Sequence, residues 1–277
     1  MEHKEEVKKI TKKQLAKQLG VSRSSLYYKK KRDVIDEKIK KEIIDVLKDN
    51  PAYGHKRIAL FLRRDKKQVL RVMKKYGIKP YRRRGKKPVK KDDQGREEIG
   101  IENYIKTFCP IKPNIVWVSD FTYIKYQGKF FYVATIMDVF TREIIGIAID
   151  INHTMMLVLD ALKDAIKRIK AVPVYLHMDQ GSEYTAEDFM NFSTGQGIQL
   201  SFSKKASPWE NGFQESFYSG FKLDLGFVDR FESAAELIET IYLTIHYYNN
   251  KRIHTKLNMS PVEFKYQYAQ KVLDFVS

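Results

Sequence analysis

The chain has 277 residues, 51 Lys+Arg against 34 Asp+Glu and a formal net charge of +17, which gives room for one mid-sized domain with one or two small ones. Its single cysteine, Cys109, excludes a disulfide framework and a cysteine-based zinc site; with no signal-peptide pattern at Met1-Glu2-His3-Lys4 and no apolar run of membrane-spanning length, a soluble, cytoplasmic protein is expected. The positive charge is confined to one end, 33 Lys+Arg against 14 Asp+Glu in residues 1–100 and 18 against 20 in the remainder, as in a nucleic-acid-binding arm on a near-neutral body rather than a uniformly solvated lysine-rich surface.

Residues 1–32 read as a helix-turn-helix segment. Thr11 N-caps a short helix that Gly20 ends, and Ser22 caps a second helix through Tyr28. Leu15, Leu19, Val21 and Leu26 would supply the shared core, with Arg23 and Ser24 exposed at the start of the second helix. The run Lys29-Lys30-Lys31-Arg32 favours DNA over a helical hairpin that binds nothing. Residues 33–78 form a second helical unit. Ile35, Ile39, Ile43 and Leu47 line one helix face up to Asn50-Pro51, and a helix with Ile58, Leu60 and Leu62 runs to Arg64. A capping box at Asp65-Lys66-Lys67-Gln68 opens a third helix, with Val69, Val72, Met73 and Tyr76 inward. Lys66, Lys67, Arg71, Lys74 and Lys75 should face outward, toward DNA or simply toward solvent. Residues 79–98 are a basic linker with almost nothing to bury, whose Arg82, Arg83 and Arg84 would follow a phosphate backbone or enter a minor groove.

From Pro113 the pattern turns to β. Strands are expected up to Tyr126, over Phe130–Asp138 and over Ile144–Ile149, followed by a helix from Thr154 to Lys170. A strand at Val174–Met178, a helix near Ala186–Gly195, a strand at Gln199–Phe202 and a helix over Asn211–Leu225 complete the order βββαβαβα. This α/β order is that of an RNase H-like mixed five-stranded sheet with flanking helices over residues 99–230. Residues 231–277 add a helical extension, Ser233–Asn249 and a last helix opening at Ser260-Pro261.

Three acids stand out. Asp120 interrupts a strand-like run, Asp179 ends the strand at Val174–Met178, and after 35 intervening residues Glu215 lies in the first turn of a helix whose Phe213, Phe217, Phe221 and Leu225 recur every four residues. Carboxylates among β-branched and aromatic neighbours are costly unless compensated. Two divalent metal ions would compensate them, and such pairs carry out in-line phosphoryl transfer.

With these residues the chain resembles the transposases of bacterial insertion sequences in the retroviral-integrase-like superfamily, specifically the catalytic reading frame of those whose transposase is split over two frames. The resemblance covers nearly the whole chain. It rests on Leu19-Gly20-Val21-Ser22-Arg23, Tyr53-Gly54-His55-Lys56-Arg57-Ile58, Asp120-Phe121-Thr122-Tyr123-Ile124, His177-Met178-Asp179-Gln180-Gly181-Ser182-Glu183-Tyr184 and Ser207-Pro208-Trp209-Glu210-Asn211-Gly212-Phe213-Gln214-Glu215, and on a closing Tyr248-Asn249 with Arg252, His254 and Ser260-Pro261. Glu210-Asn211 departs from the family's more usual Asp-Asn, but only Glu215 keeps the spacing of the third acid. No heptad pattern of the family's upstream segment occurs, as expected of the downstream frame alone or of a short variant.

The resemblance implies that Asp120, Asp179 and Glu215 hold two Mg²⁺ or Mn²⁺ ions, and that the protein binds element ends and target DNA, cleaves and joins strands, and works near the nucleoid as a homo-oligomer, at least a dimer on DNA. Lys222, two turns after Glu215, would meet a phosphate beside the scissile bond, or is a solvated lysine. His177 would orient ligands or contact DNA, or is a satisfied core histidine, and Asn211 would contact DNA or only cap its helix. Arg23, Ser24, Lys56, Arg57, Arg82, Arg83, Arg84, Arg252 and His254 complete the expected DNA contacts. Two rival functions are an RNase H-fold nuclease or resolvase, disfavoured by the two helical units, and a catalytically silent DNA-binding regulator, disfavoured by the intact acid trio.

Overall fold

The computed structural model describes residues 11–27, 31–82, 101, 103–105, 110–203 and 212–276. Helix α1 (Lys12–Gln18) is opened by Thr11 and Gln14 in a reciprocal capping box, and Gly20 follows it at φ +64°. What comes next is a 3₁₀ turn, Arg23–Tyr27, in place of the expected α-helix. Ser22 still caps it, its hydroxyl accepting from the Ser25 N–H at 3.2 Å. Among the described residues the expected core does not form: Leu15, Leu19 and Val21 are exposed and only Ala16 of α1 is buried. A 3₁₀ turn stacks its side chains every third residue, so this short segment has no continuous apolar face to offer α1.

The second unit is α2 (Lys31–Asp49), α3 (His55–Phe61) and α4 (Lys66–Lys75), closed around Ile39, Ile43, Val46, Tyr53, Ile58, Val69 and Val72. Asp65 caps α4 by accepting from the Lys67 and Gln68 N–H groups at 2.8 and 3.0 Å. Ile35, expected on the inner face, is exposed, and Asp36 is buried next to it at 1 % exposure. Arg71 grips Asp36 through two hydrogen bonds of 2.5 and 2.7 Å, and Lys75 reaches both Asp33 and Asp36 at 2.6 and 2.9 Å. Two of the cations expected to face outward thus tie α4 to α2.

The sheet follows: β1 (Val116–Tyr126), β2 (Lys129–Asp138), β3 (Ile144–Asp150), β4 (Tyr175–Met178) and β5 (Gln199–Phe202), in spatial order β3-β2-β1-β4-β5. β1, β2 and β3 are antiparallel, and β4 and β5 add parallel beside β1. Gln127 and Gly128 both have positive φ, the backbone a two-residue hairpin needs. Period-two alternation sorts the side chains onto two faces. Trp117, Ala134, Ile136, Leu176 and Met178 face a core shared with α5 (Met155–Ile169), α6 (Ser182–Thr185) and α7 (Glu187–Gly195). Val116, Val118, Val133 and Met137 face another, shared with α8 (Gly212–Leu225) and α9 (Ala234–Asn250). Helix α5 lies so close to β3 that a Cβ at Gly146 would run into the Ala161 carbonyl and come within 2.7 Å of the Ala165 Cβ. Helix α10 (Pro261–Val276) ends the chain.

The second unit docks on the end of α9 and the segment after it. Tyr247 donates its hydroxyl to Asn50 at 2.5 Å, the Ile253 N–H donates to the Tyr53 hydroxyl at 2.9 Å, and Arg57 Nε donates to the Ile253 carbonyl at 2.9 Å.

Candidate active site

Strand register brings Asp120 and Asp179 together. Val116 pairs with Tyr175, Trp117 with Leu176 and Val118 with His177. Asp179 follows directly on the end of β4, close enough to Asp120 of β1 for its charge to be felt there. Backbone amides hold both carboxylates: Phe121 N–H donates to Asp120 Oδ1 at 2.8 Å, and Gly181 N–H to Asp179 Oδ1 at 3.0 Å.

Helix α8 is pinned over β1 on either side of Glu215. Gln214, fully buried, donates Nε2 to the Val118 and Thr135 carbonyls at 2.8 and 3.1 Å and accepts from the Thr135 hydroxyl at 3.1 Å. Tyr218 donates its hydroxyl to the Asp120 carbonyl at 2.6 Å and lies 2.8 Å from the Thr135 hydroxyl. Sequence reasoning missed both residues, because neither belongs to the apolar stripe Phe213–Phe217–Phe221–Leu225. The only signal was their position flanking Glu215.

The charges of Asp179 and Glu215 both bear on Asp120. The carboxyl of Asp120 is pushed up to about 8, first by burial and then by the charge of Asp179, with Glu215 adding to the rise; the Phe121 N–H and the Lys222 ammonium pull the other way. Asp179 is also raised, by loss of hydration first, with the Gly181 N–H opposing and the Glu183 charge adding. Lys222, half-buried, lies with its Nζ 5.1 Å from the centre of the Tyr123 ring and acts on Asp120, on the side of α8 that carries Glu215. Such a carboxylate cluster attracts cations and can act on phosphate only through them or through Lys222.

The other expected contacts lie elsewhere. His177 is fully buried with Nδ1 3.0 Å from the Ser201 hydroxyl, so its ring cannot touch DNA and it packs as a core residue between β1 and β5. Arg23 and Ser24 are exposed on the 3₁₀ turn and Lys56 is exposed on α3. Arg57 supports the docked unit, and Arg252, 5 % exposed, is ion-paired with Asp224. Arg82 holds the Ala52 carbonyl at 3.0 Å. Arg57, Arg82, Arg252 and His254 gather around a cavity of their own, apart from the acids. Arg83, Arg84 and Asn211 fall outside the described residues.

Two family models, each described as an integrase core domain, match residues 110–208 and 196–261. The InsK protein of insertion sequence element IS150 from Escherichia coli (strain K12) is 30% identical over 269 residues, covering 92% of this chain and 93% of that one. The transposase of insertion sequence element IS904 from Lactococcus lactis is 31% identical over 243 residues, covering 84% and 94%. Among solved structures, a chain of the simian T-cell lymphotropic virus intasome in complex with PP2A regulatory subunit B56 gamma shares the fold at a TM-score of 0.51 and 16% identity, covering 76% of this chain and 74% of that one.

Proposed function

This chain belongs to the integrase-core transposases of bacterial insertion sequences, and on that premise we propose that Asp120, Asp179 and Glu215 are the catalytic carboxylates with which it cleaves and joins the ends of a mobile DNA element. The parallel pairing of β1 with β4, at whose end Asp179 comes within electrostatic reach of Asp120, carries this assignment, supported by the pinning of α8 on both sides of Glu215. Three carboxylates, two of which raise the proton affinity of Asp120, with only oxygen to offer, fit hard divalent cations, and these residues would hold two Mg²⁺ or Mn²⁺ ions. Such ions, when bound, activate water or a 3′-hydroxyl and stabilise the leaving 3′-oxygen.

No three His, Asp or Glu side chains among the described residues converge at ligand distance. Loading therefore involves side-chain rotation, which the exposed Glu215 can make and for which Asp179 would leave the Gly181 N–H. The protein's own part is to fix the Asp120 carboxylate on the Phe121 N–H, to hold α8 at one height above β1, and to offer Lys222 to a neighbouring phosphate. Double-stranded DNA is the partner, with Arg23, Ser24, Lys56 and the basic residues up to 98 as the arm that grips it, and a homo-oligomer as the working assembly. No helix among the described residues is long and apolar enough to cross a membrane.

The test is Asp179→Asn in a nicking and joining assay on candidate end DNA with Mg²⁺, beside a gel-shift titration. The expected result is cleavage reduced by a hundredfold or more, on the order expected for loss of transition-state charge stabilisation, with end affinity nearly unchanged. A mutant that nicks at the wild-type rate removes Asp179 from the site.

A further inference from the structure

A quarter turn around α8 from Glu215, at about 100° per residue, the helix presents Gly212, Ser216 and Gly220 to a cavity of about 650 Å³. Arg57 and Arg82 of the docked unit, Arg142 before β3, and Arg252, His254 and Lys256 after α9 line it, and no carboxylate does. Arg252 has Asp224 as a counter-ion, but like charges gathered on one cavity repel one another and favour an anion between them.

Three features turn this charge into a receptor. Arg252 is buried, yet only its Nε is engaged, on Asp224. Neither of its Nη groups has a hydrogen-bond acceptor among the described residues. The guanidinium lies so close to α8 that a Cβ at Gly220 would come within 3.0 Å of Nη2, so the glycine leaves the space this fork occupies. Beside it, His254 Nδ1 is buried without a hydrogen-bond partner. Its ring is kept neutral, pushed down to about 4 by burial first and then by Arg142, Arg57, Arg252 and Lys256, and a neutral imidazole still donates one hydrogen bond. Finally, Arg142 is held over the Phe213 ring with its guanidinium carbon 4.1 Å from the centroid, and the exposed Ser216 hydroxyl lies on the helix side of the same space. Forked guanidinium donors with a hydroxyl and an imidazole match the tetrahedral oxygens of a phosphate group.

We propose that this cavity receives a backbone phosphate of the DNA that the transposase holds, gripped by Arg252, Arg142 and Lys256 with Ser216 opposite. The anion chemistry stands on the cavity itself; DNA as its source rests on the transposase reading. A phosphate seated here would anchor the strand one quarter turn of α8 away from the acids and so fix the path along which it reaches them.

The test uses the full chain without divalent metal, so its outcome does not depend on whether the acid trio nicks DNA. In one arm an end duplex is neutralised one phosphate at a time with methylphosphonate, and binding is measured to wild type, Ser216→Glu, which places a carboxylate in the cavity, and Lys256→Gln on the exposed loop, where folding is not at stake. In the other arm inorganic phosphate is titrated against melting temperature at constant ionic strength. The expected result is one or two positions whose neutralisation weakens wild-type binding about tenfold, as for loss of a charge-assisted contact. Ser216→Glu should be weaker by a similar factor and insensitive at those positions, with Lys256→Gln between. Phosphate should raise the wild-type melting temperature, not that of Ser216→Glu, and DNA should displace it. If phosphate stabilises the protein but all three proteins bind every duplex alike, the cavity is a free-anion site and the DNA assignment is overturned. If neither arm responds to Ser216→Glu, the cavity holds only solvent and the whole proposal fails.

Discussion

Lys222 shows what one side chain adds to the acids. It lies two turns after Glu215, half-buried against Tyr123, and its charge lowers the proton affinity of Asp120. Lys222→Ala is expected to slow single-turnover nicking by roughly a hundredfold through misplacement of the scissile phosphate. Overall DNA affinity should barely change, since most cations lie in residues 1–100. Nicking at the wild-type rate would return Lys222 to the solvated surface. The acids were legible in the sequence because each carboxylate stands where apolar neighbours make it conspicuous. His177 was not, because an imidazole buried beside a serine of the neighbouring strand looks the same in sequence as one aimed at a ligand. Gln214 and Tyr218 were hidden for the opposite reason. Polar residues off an apolar stripe read as solvent-facing, and only the folded sheet reveals the carbonyls of Val118, Asp120 and Thr135 that they serve.

At the scale of elements, periodicity gave the strands and long helices within a few residues, since burial on a pleat or a helix face imposes its own repeat. It failed where a side chain broke the repeat for an electrostatic reason. Asp36 lies beside the place assigned to Ile35 because Arg71 and Lys75 reach across from α4 to meet it. Their hydrogen bonds and charges hold the Asp36 carboxyl well below the usual carboxylate range. A carboxyl depressed by folding takes up its proton more readily in the unfolded chain, so its stabilisation is complete above the unfolded pKa near 4 and is lost as pH falls below it. The melting temperature of wild type should therefore fall between pH 5 and pH 3 more steeply than that of Asp36→Asn, which should already be lower at pH 7. Parallel curves for the two proteins would show that the pair contributes nothing that titrates.

Across the whole molecule the charge is the plainest signal, and it needs no fold to be read. Affinity of the full chain for DNA should fall steeply and log-linearly with salt, as cations on the basic end release counterions; an affinity indifferent to salt would argue that the basic end grips something else. What no local pattern disclosed is how the basic end is attached. The three hydrogen bonds that dock α2–α4 on the end of α9 join residues almost two hundred positions apart, and neither partner signals the other. Their consequence concerns the continuity of the polypeptide. With Asn50, Tyr53 and Arg57 held by Tyr247 and Ile253, the covalent connection between Arg82 and Ile101 is not what keeps the two parts together. If that stretch is severed by a site-specific protease, the amino- and carboxyl-terminal pieces should still elute as one noncovalent complex, and the same pieces expressed from separate genes should find each other. Tyr247→Phe with Arg57→Ala should release them. Pieces that part on cutting alone would show that the backbone, rather than the docking surface, sets the arrangement.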